Sequence, residues 1–202
     1  NGTLEVTNEV KAELTVKAAS DSKEYDGTAL TANSYTMEGT AGNLKSGDYL
    51  IVTVAGSITN VDPEARDNNE VTGVTVKHQT GDARSEEDPE VTDYYAISTE
   101  PGTLTISPRE VTIKAGDAKK EYDGTALTET GSAVTKGSLV TGHSYTATVT
   151  GSQMTVGRSV NRISDIVIVD GEGTAVTGNY AVTPENGTLE VTNEVKAELT
   201  VK

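Results

Sequence analysis

KEYDGTALT at 23–31 recurs without change at 120–128, inside two longer stretches that align throughout: ELTVKAASDSKEYDGTALT at 13–31 and EVTIKAGDAKKEYDGTALT at 110–128. Asp-Gly is a tight-turn pair, in which glycine supplies a positive φ and aspartate bonds its own backbone two residues on. Asp26, Gly27, Asp123 and Gly124 are therefore read as structural turn residues, with Tyr25 and Tyr122 packing on a core. Ahead of each turn, Leu14-Thr-Val16 and Val111-Thr-Ile113 alternate apolar and polar residues, the period of a half-buried strand. The same strand-and-turn sequence, twice, 97 residues apart, predicts two homologous β modules.

A second repeat surrounds the first. Residues 1–17, NGTLEVTNEVKAELTVK, are identical to 186–202, an offset of 185 residues. The chain reads as one unit of a tandem array with a little of each neighbour attached. Tyr95-Ala-Ile-Ser-Thr-Glu-Pro-Gly-Thr-Leu and Tyr180-Ala-Val-Thr-Pro-Glu-Asn-Gly-Thr-Leu align at an offset of 85, so module 1 is 12 residues longer between these anchors. Most of the excess falls in an acidic insertion at 78–93. The expected organisation is 1–10, the last strand of a preceding repeat; 11–107, module 1; 108–192, module 2; and 193–202, the first strand of a following repeat. Residues 2–7 and 197–201 are then strands without partners in their own chain, expected to fray or to pair with a neighbouring molecule.

Composition supports β-structure with a thin core. Thr, Val and Ile number 32, 23 and 8 of 202 residues, and these β-branched side chains suit a pleated, half-buried surface. Tyr49-Leu-Ile-Val-Thr-Val54, Val74-Thr-Val76, Tyr145-Thr-Ala-Thr-Val149 and Asp165-Ile-Val-Ile-Val169 read as strands, and Leu104-Thr-Ile106 and Leu189-Glu-Val191 close the modules. Short strands between Gly-rich turns predict an all-β fold of two Ig-like, β-sandwich-type modules end to end; β-grasp-like modules are the alternative. Ile106-Ser-Pro-Arg-Glu-Val111 joins the modules without a Gly/Ser spacer, and Pro108 stiffens the joint.

The net charge of −15 argues against nucleic acid and anionic membrane as partners. With no cysteine there is no disulfide, thiolate metal site or Cys nucleophile. No signal-peptide pattern opens the sequence, and no apolar run has the length of a membrane helix. The two histidines, His78 and His143, stand at non-equivalent places and read as lone loop residues. No nucleophile-elbow, P-loop or metalloprotease motif is present, so no catalytic residue, cofactor or metal site is expected.

Asp82, Glu86, Glu87 and Asp88 are the only calcium candidates. They lack EF-hand spacing and have Arg84 among them, so a solvated loop is the expectation. The same loop, with Tyr94 and Tyr95 beside it, is the candidate ligand contact. Lys17 or Lys114 cross-linked to Asn179 would replace the missing disulfides, although Tyr94 stands at the matching place in module 1. Asn1-Gly-Thr and Asn186-Gly-Thr are formal glycosylation sequons that read better as strand-edge turns.

KEYDGTALT, Val149-Thr-Gly-Ser-Gln-Met-Thr-Val-Gly157, Asn161-Arg-Ile, Gly178-Asn-Tyr-Ala-Val182 and Gly187-Thr-Leu-Glu-Val191 together form a signature. It resembles the YDG/MBG-type, mostly-β, glycine-rich repeats of bacterial cell-surface adhesins, over essentially the whole chain and twice. Module 1 departs from it at Asp62-Pro63 and at Asp93-Tyr94. The resemblance implies an extracellular stalk on the bacterial surface, usually of Gram-positive bacteria and wall-anchored through another part of the parent protein. It implies no enzyme. Its partners would be adjacent repeats. The alternative function is a multivalent module binding a host glycan, mucin or host protein weakly through many copies.

Overall fold

The structure, a computed structural model, describes residues 10–38 and 44–193. The fold is nearly all β. The chain divides into two compact units, Asn1–Ser107 and Pro108–Lys202, called modules 1 and 2 below. The segments 2–7 and 197–201, for which fraying was expected, lie outside the described residues.

The modules repeat one order of elements. Module 1 runs β1 (Ala12–Ala18), β2 (Asp21–Glu24), β3 (Tyr35–Glu38), β4 (Asp48–Ala55), β5 (Glu70–His78), a 3-10 turn (Thr92–Tyr94), β6 (Tyr95–Glu100) and β7 (Leu104–Ser107). Module 2 runs β8 (Arg109–Ala115), β9 (Ala118–Glu121), β10 (Ser132–Gly137), β11 (Ser144–Thr150), β12 (Gly157–Val169), a 3-10 turn (Thr177–Asn179), β13 (Tyr180–Glu185) and β14 (Gly187–Thr192).

Each module opens on a strand whose alternation builds the core. Leu14, Val16 and Ala18 of β1 are buried, as are Val111, Ile113 and Ala115 of β8. This strand is central in a three-stranded sheet, with order β3-β1-β6 in module 1 and β10-β8-β13 in module 2. The opening strand pairs antiparallel with the third strand and parallel with the sixth. A second parallel pair joins β2 to β7 and β9 to β14. Buried Leu104 and Ile106, and their counterparts Leu189 and Val191, line the closing strands.

A buried asparagine fastens each module. Asn69 is fully buried, and its amide nitrogen donates to the Ala19 and Ala32 carbonyls, both at 2.7 Å. Asn161 does the same to Gly116 and Glu129, both at 2.9 Å. With both amide hydrogens used, each Oδ1 is turned against a glycine, Gly56 or Gly151, and has no hydrogen-bond partner. A Cβ on either glycine would stand 2.5 Å from that oxygen, so no larger residue fits.

The modules differ along β5 and β12. In module 2, β12 is long enough to pair with both β11 and β14, giving a continuous sheet of order β11-β12-β14-β9. In module 1 the same strands form two two-stranded sheets, β4-β5 and β2-β7. The offset between equivalent residues falls from 95 at Gly56/Gly151 to 92 at Asn69/Asn161, so the stretch before β5 carries three extra residues, among them Pro63. Proline supplies no backbone donor and suits a loop rather than a central strand. Here the Asn68 side chain stands in for the missing ladder: its Nδ2 donates to the Leu104 carbonyl at 3.1 Å, and Leu104 N–H donates to its Oδ1 at 2.7 Å.

Candidate functional site

The turn in KEYDGTALT is a closed clamp. Asp26 Oδ1 accepts from Lys23 Nζ at 2.6 Å, Thr28 N–H at 2.8 Å and Thr28 Oγ1 at 2.7 Å. Asp123 Oδ1 accepts from Lys120 Nζ at 2.8 Å, Thr125 N–H at 2.9 Å and Thr125 Oγ1 at 2.8 Å. Gly27 and Gly124 both take φ of 80°. The lysine bond, followed by those from the threonine, holds each carboxyl well below the usual carboxylate range. The turn accounts for the aspartate, glycine and threonine of the nonapeptide; Tyr25 is buried as expected, whereas the expectation that Tyr122 packs on a core is corrected, since it is exposed. The lysine at the head of the nonapeptide is a clamp residue that sequence reasoning did not single out.

The acidic loop of module 1 is organised from within by Asp88. This residue is buried and accepts from Thr80 N–H at 3.1 Å, Thr80 Oγ1 at 2.9 Å and Ser85 N–H at 2.9 Å. Its second oxygen also lies 3.1 Å from the Tyr49 hydroxyl, which is shared with the Ser85 carbonyl at 3.0 Å. The backbone bonds from Thr80 and Ser85 lower the Asp88 carboxyl to about 2. Burial, then the bond to Asp88, raises the Tyr49 phenol. Arg84 covers the Tyr49 ring at 4.7 Å from its centroid, and Lys77 Nζ donates to the Glu86 carbonyl at 2.5 Å. Asp82, Glu86 and Glu87 point to solvent while Asp88 points inward. The loop fold spends Asp88 on its own backbone, and the other three carboxylates face away from it into solvent. Among the described residues no group of three His, Asp or Glu side chains is placed to hold a metal ion.

Tyr94 and Tyr95 separate where the 3-10 turn, which ends at Tyr94, gives way to β6, which begins at Tyr95. Tyr94 is exposed, with Lys45 Nζ 6.0 Å from its ring centroid. Tyr95 is buried, and its expected role as a ligand contact is corrected. Its hydroxyl donates to the Asp48 carboxylate and accepts from Lys45 N–H at 3.0 Å. Asp48 Oδ1 in turn meets His78 Nδ1 at 2.5 Å. Burial and the Asp48 bond raise the Tyr95 phenol.

In module 2, Tyr180 is the counterpart. Its hydroxyl accepts from Val140 N–H at 3.1 Å and meets His143 Nδ1 at 2.7 Å. The two histidines are therefore not idle loop residues. Each reaches the equivalent tyrosine hydroxyl of its own module, His78 through Asp48 to Tyr95 and His143 directly to Tyr180. Neither motif nor spacing could have revealed this, because His78 lies at the end of β5 and His143 before β11. The arrangement ties the loop ahead of β4 or β11 to the sixth strand of the module. It is a structural fastener.

The cross-link candidates are placed elsewhere. Lys17 Nζ meets Glu100 at 3.3 Å; Lys114 Nζ meets Asp117 at 2.8 Å and Glu185 at 3.7 Å. Asp117, then Glu185, raises the Lys114 ammonium, keeping it protonated and not nucleophilic. Asn186 Oδ1 accepts from Ile163 N–H at 3.1 Å, in keeping with a strand-edge role.

Two open grooves lie on module 2. One, about 450 Å³, is lined by Lys114, Asp117, Lys119, Arg158, Thr188 and Glu190. Its charges form a ladder across three registered strands, with Glu190 3.2 Å from Arg158 and 3.5 Å from Lys119. The other, about 490 Å³, lies where the chain leaves β14, between Val156, Gly157, Arg158, Glu190, Val191, Thr192 and Asn193. No family model matches the chain, and no curated protein matches it.

Proposed function

We propose that the chain is a force-bearing repeat unit of a long bacterial surface adhesin of the YDG/MBG type, a non-enzymatic spacer that presents a distal binding domain outside the cell. Each module would be a small sandwich-type β domain, and the array would be anchored through another part of the parent protein. The carrying observation is the parallel pairing of the first two strands of each module with its last two. In both modules the opening strand is parallel to the sixth, and the second strand is parallel to the last. Tension applied at the two ends of a module then slides these pairs along one another. All the hydrogen bonds of a ladder share the load, instead of opening one at a time. The internal repeat at 185 residues supports an array, and Pro108, alone between β7 and β8, supports a short joint.

The test is single-molecule pulling of module 2 in two directions. Pulled through its chain ends, it should resist several-fold more force than when handles at Glu121 and Thr192 peel β9 from β14. Equal rupture forces in both directions would overturn the proposal. The exposed Tyr94, beside Lys45, favours a second reading, weak glycan or protein binding by module 1. Tyr94→Ala should then abolish array binding to immobilised mucin glycans; array binding that is absent, or unchanged by the substitution, would remove it.

A further inference from the structure

Tyr25 and Tyr122 occupy the same place in the same nonapeptide. Both turns have the same clamp, and both tyrosine N–H groups donate at 2.9 Å to the last residue of their module's closing strand, Ser107 or Thr192. Yet Tyr25 is 3% exposed and Tyr122 is 48% exposed. The turn does not set this difference. Further exposed apolar residues stand at the same end of the sheet as Tyr122. Thr192 is registered with Glu121, and Val191 with Gly157, so Tyr122 and Val156 come to one end of the β12-β14-β9 sheet. Val156 and nearby Met154 are exposed at 49% and 55%. The 490 Å³ groove opens beside Val156, rimmed by the Arg158–Glu190 pair and ending at Asn193. Exposed large apolar side chains at one end of a module point to an interaction surface there.

We infer that this end of module 2 is a docking face, and that its occupant is the opening end of a following copy of this chain. The sequence names the occupant: residues 193–202 restate 8–17, so a copy of module 1 is what comes next in the repeat. The opening end of module 1 is complementary in kind, since Val10 there is 87% exposed. Docking would cover Tyr122, Met154 and Val156 with the Val10 end of the next copy, inside a polar rim. Interfaces between neighbouring domains of a chain are commonly of this mixed character. The inference rests on the array reading above, and it adds that the joint between units is a packed contact.

The test uses a two-unit chain built on the 185-residue period, residues 1–185 followed by 1–202, under limited trypsin digestion. Lys11 of the second copy lies in the joint. Tyr122→Ser with Met154→Ser in the first copy should speed cleavage after this lysine by at least about fivefold, because opening of the contact exposes the segment. Val10→Ser in the second copy should give the same rise without touching module 2. Unchanged cleavage in both variants would overturn the docking face. Solution scattering separates the two failures. If cleavage is unchanged but the two-unit chain is longer than one unit by about 60–90 Å, the spacer reading survives without docking. If it is no longer than one unit, both readings fall.

Discussion

Modules 1 and 2 share every strand but not every sheet. Module 2 runs β12 unbroken from Gly157 to Val169 and closes β11-β12-β14-β9; module 1 splits the same strands into two pairs. The difference traces to three extra residues around Pro63 and is bridged by one amide side chain, Asn68. An asparagine carries a donor and an acceptor like a peptide unit, so it can replace one step of a ladder while the backbone loops away. What both modules keep is the buried asparagine on its glycine. This internal fastener is kept along with the opening sheet and the parallel pairs, while the length of β5 and β12 differs.

The comparison is open to breaking at its strongest shared point. Gly56→Ala and Gly151→Ala should each cost about 3 kcal/mol or more, because the added Cβ meets both the buried amide and backbone. Urea denaturation of each variant measures it, and a loss in only one module would mean that the fasteners are not equivalent. Asn68→Ala comes next. It should destabilise module 1 by about 1–3 kcal/mol by leaving both Leu104 backbone groups unpaired, whereas Val160→Ala at the equivalent, half-exposed place in module 2 should cost about 0.5 kcal/mol or less.

Acid should tell the modules apart as well. The folded Asp88 carboxyl titrates at about 2, below its unfolded value of about 4, so its contribution is complete above pH 4 and is lost as pH falls toward 2. Both modules carry the Asp26/Asp123 clamp, but only module 1 carries Asp88. Thermal melts between pH 5 and 2 should therefore show an acid-dependent loss in the wild-type chain that Asp88→Asn reduces. An identical pH dependence in the variant would remove Asp88 from the loop's stability. The smallest effect is expected from the exposed charge ladder: Arg158→Ala should lower Tm by about 1–3 °C at low salt and by less in 0.5 M NaCl.

Much of this was legible from residue pattern. Leu14-Thr-Val16, Tyr49–Val54 and Leu104-Thr-Ile106 lie in strands because their alternation and β-branching suit a half-buried surface. The Asp-Gly turns were legible because glycine and aspartate have few other reasons to stand together there. Asp21-Ser-Lys-Glu24 and Ala118-Lys-Lys-Glu121 were not, because a strand without apolar alternation is held by its partner, here the closing strand. The parallel pairings and the roles of Asp48, Asn69 and Asn161 were hidden for the same reason. They are contacts between distant segments, and neither composition nor local spacing records them. Asp88 appeared as one acid in an acidic run, since nothing local distinguishes a carboxylate facing inward from one facing water.

The spacer claim is tested most directly by solution scattering from chains of one, two and three units on the 185-residue period. A spacer should lengthen by about 60–90 Å with each added unit, because compact modules of this size joined end to end add their lengths. A maximum dimension that stays near the single-unit value as units are added would contradict it.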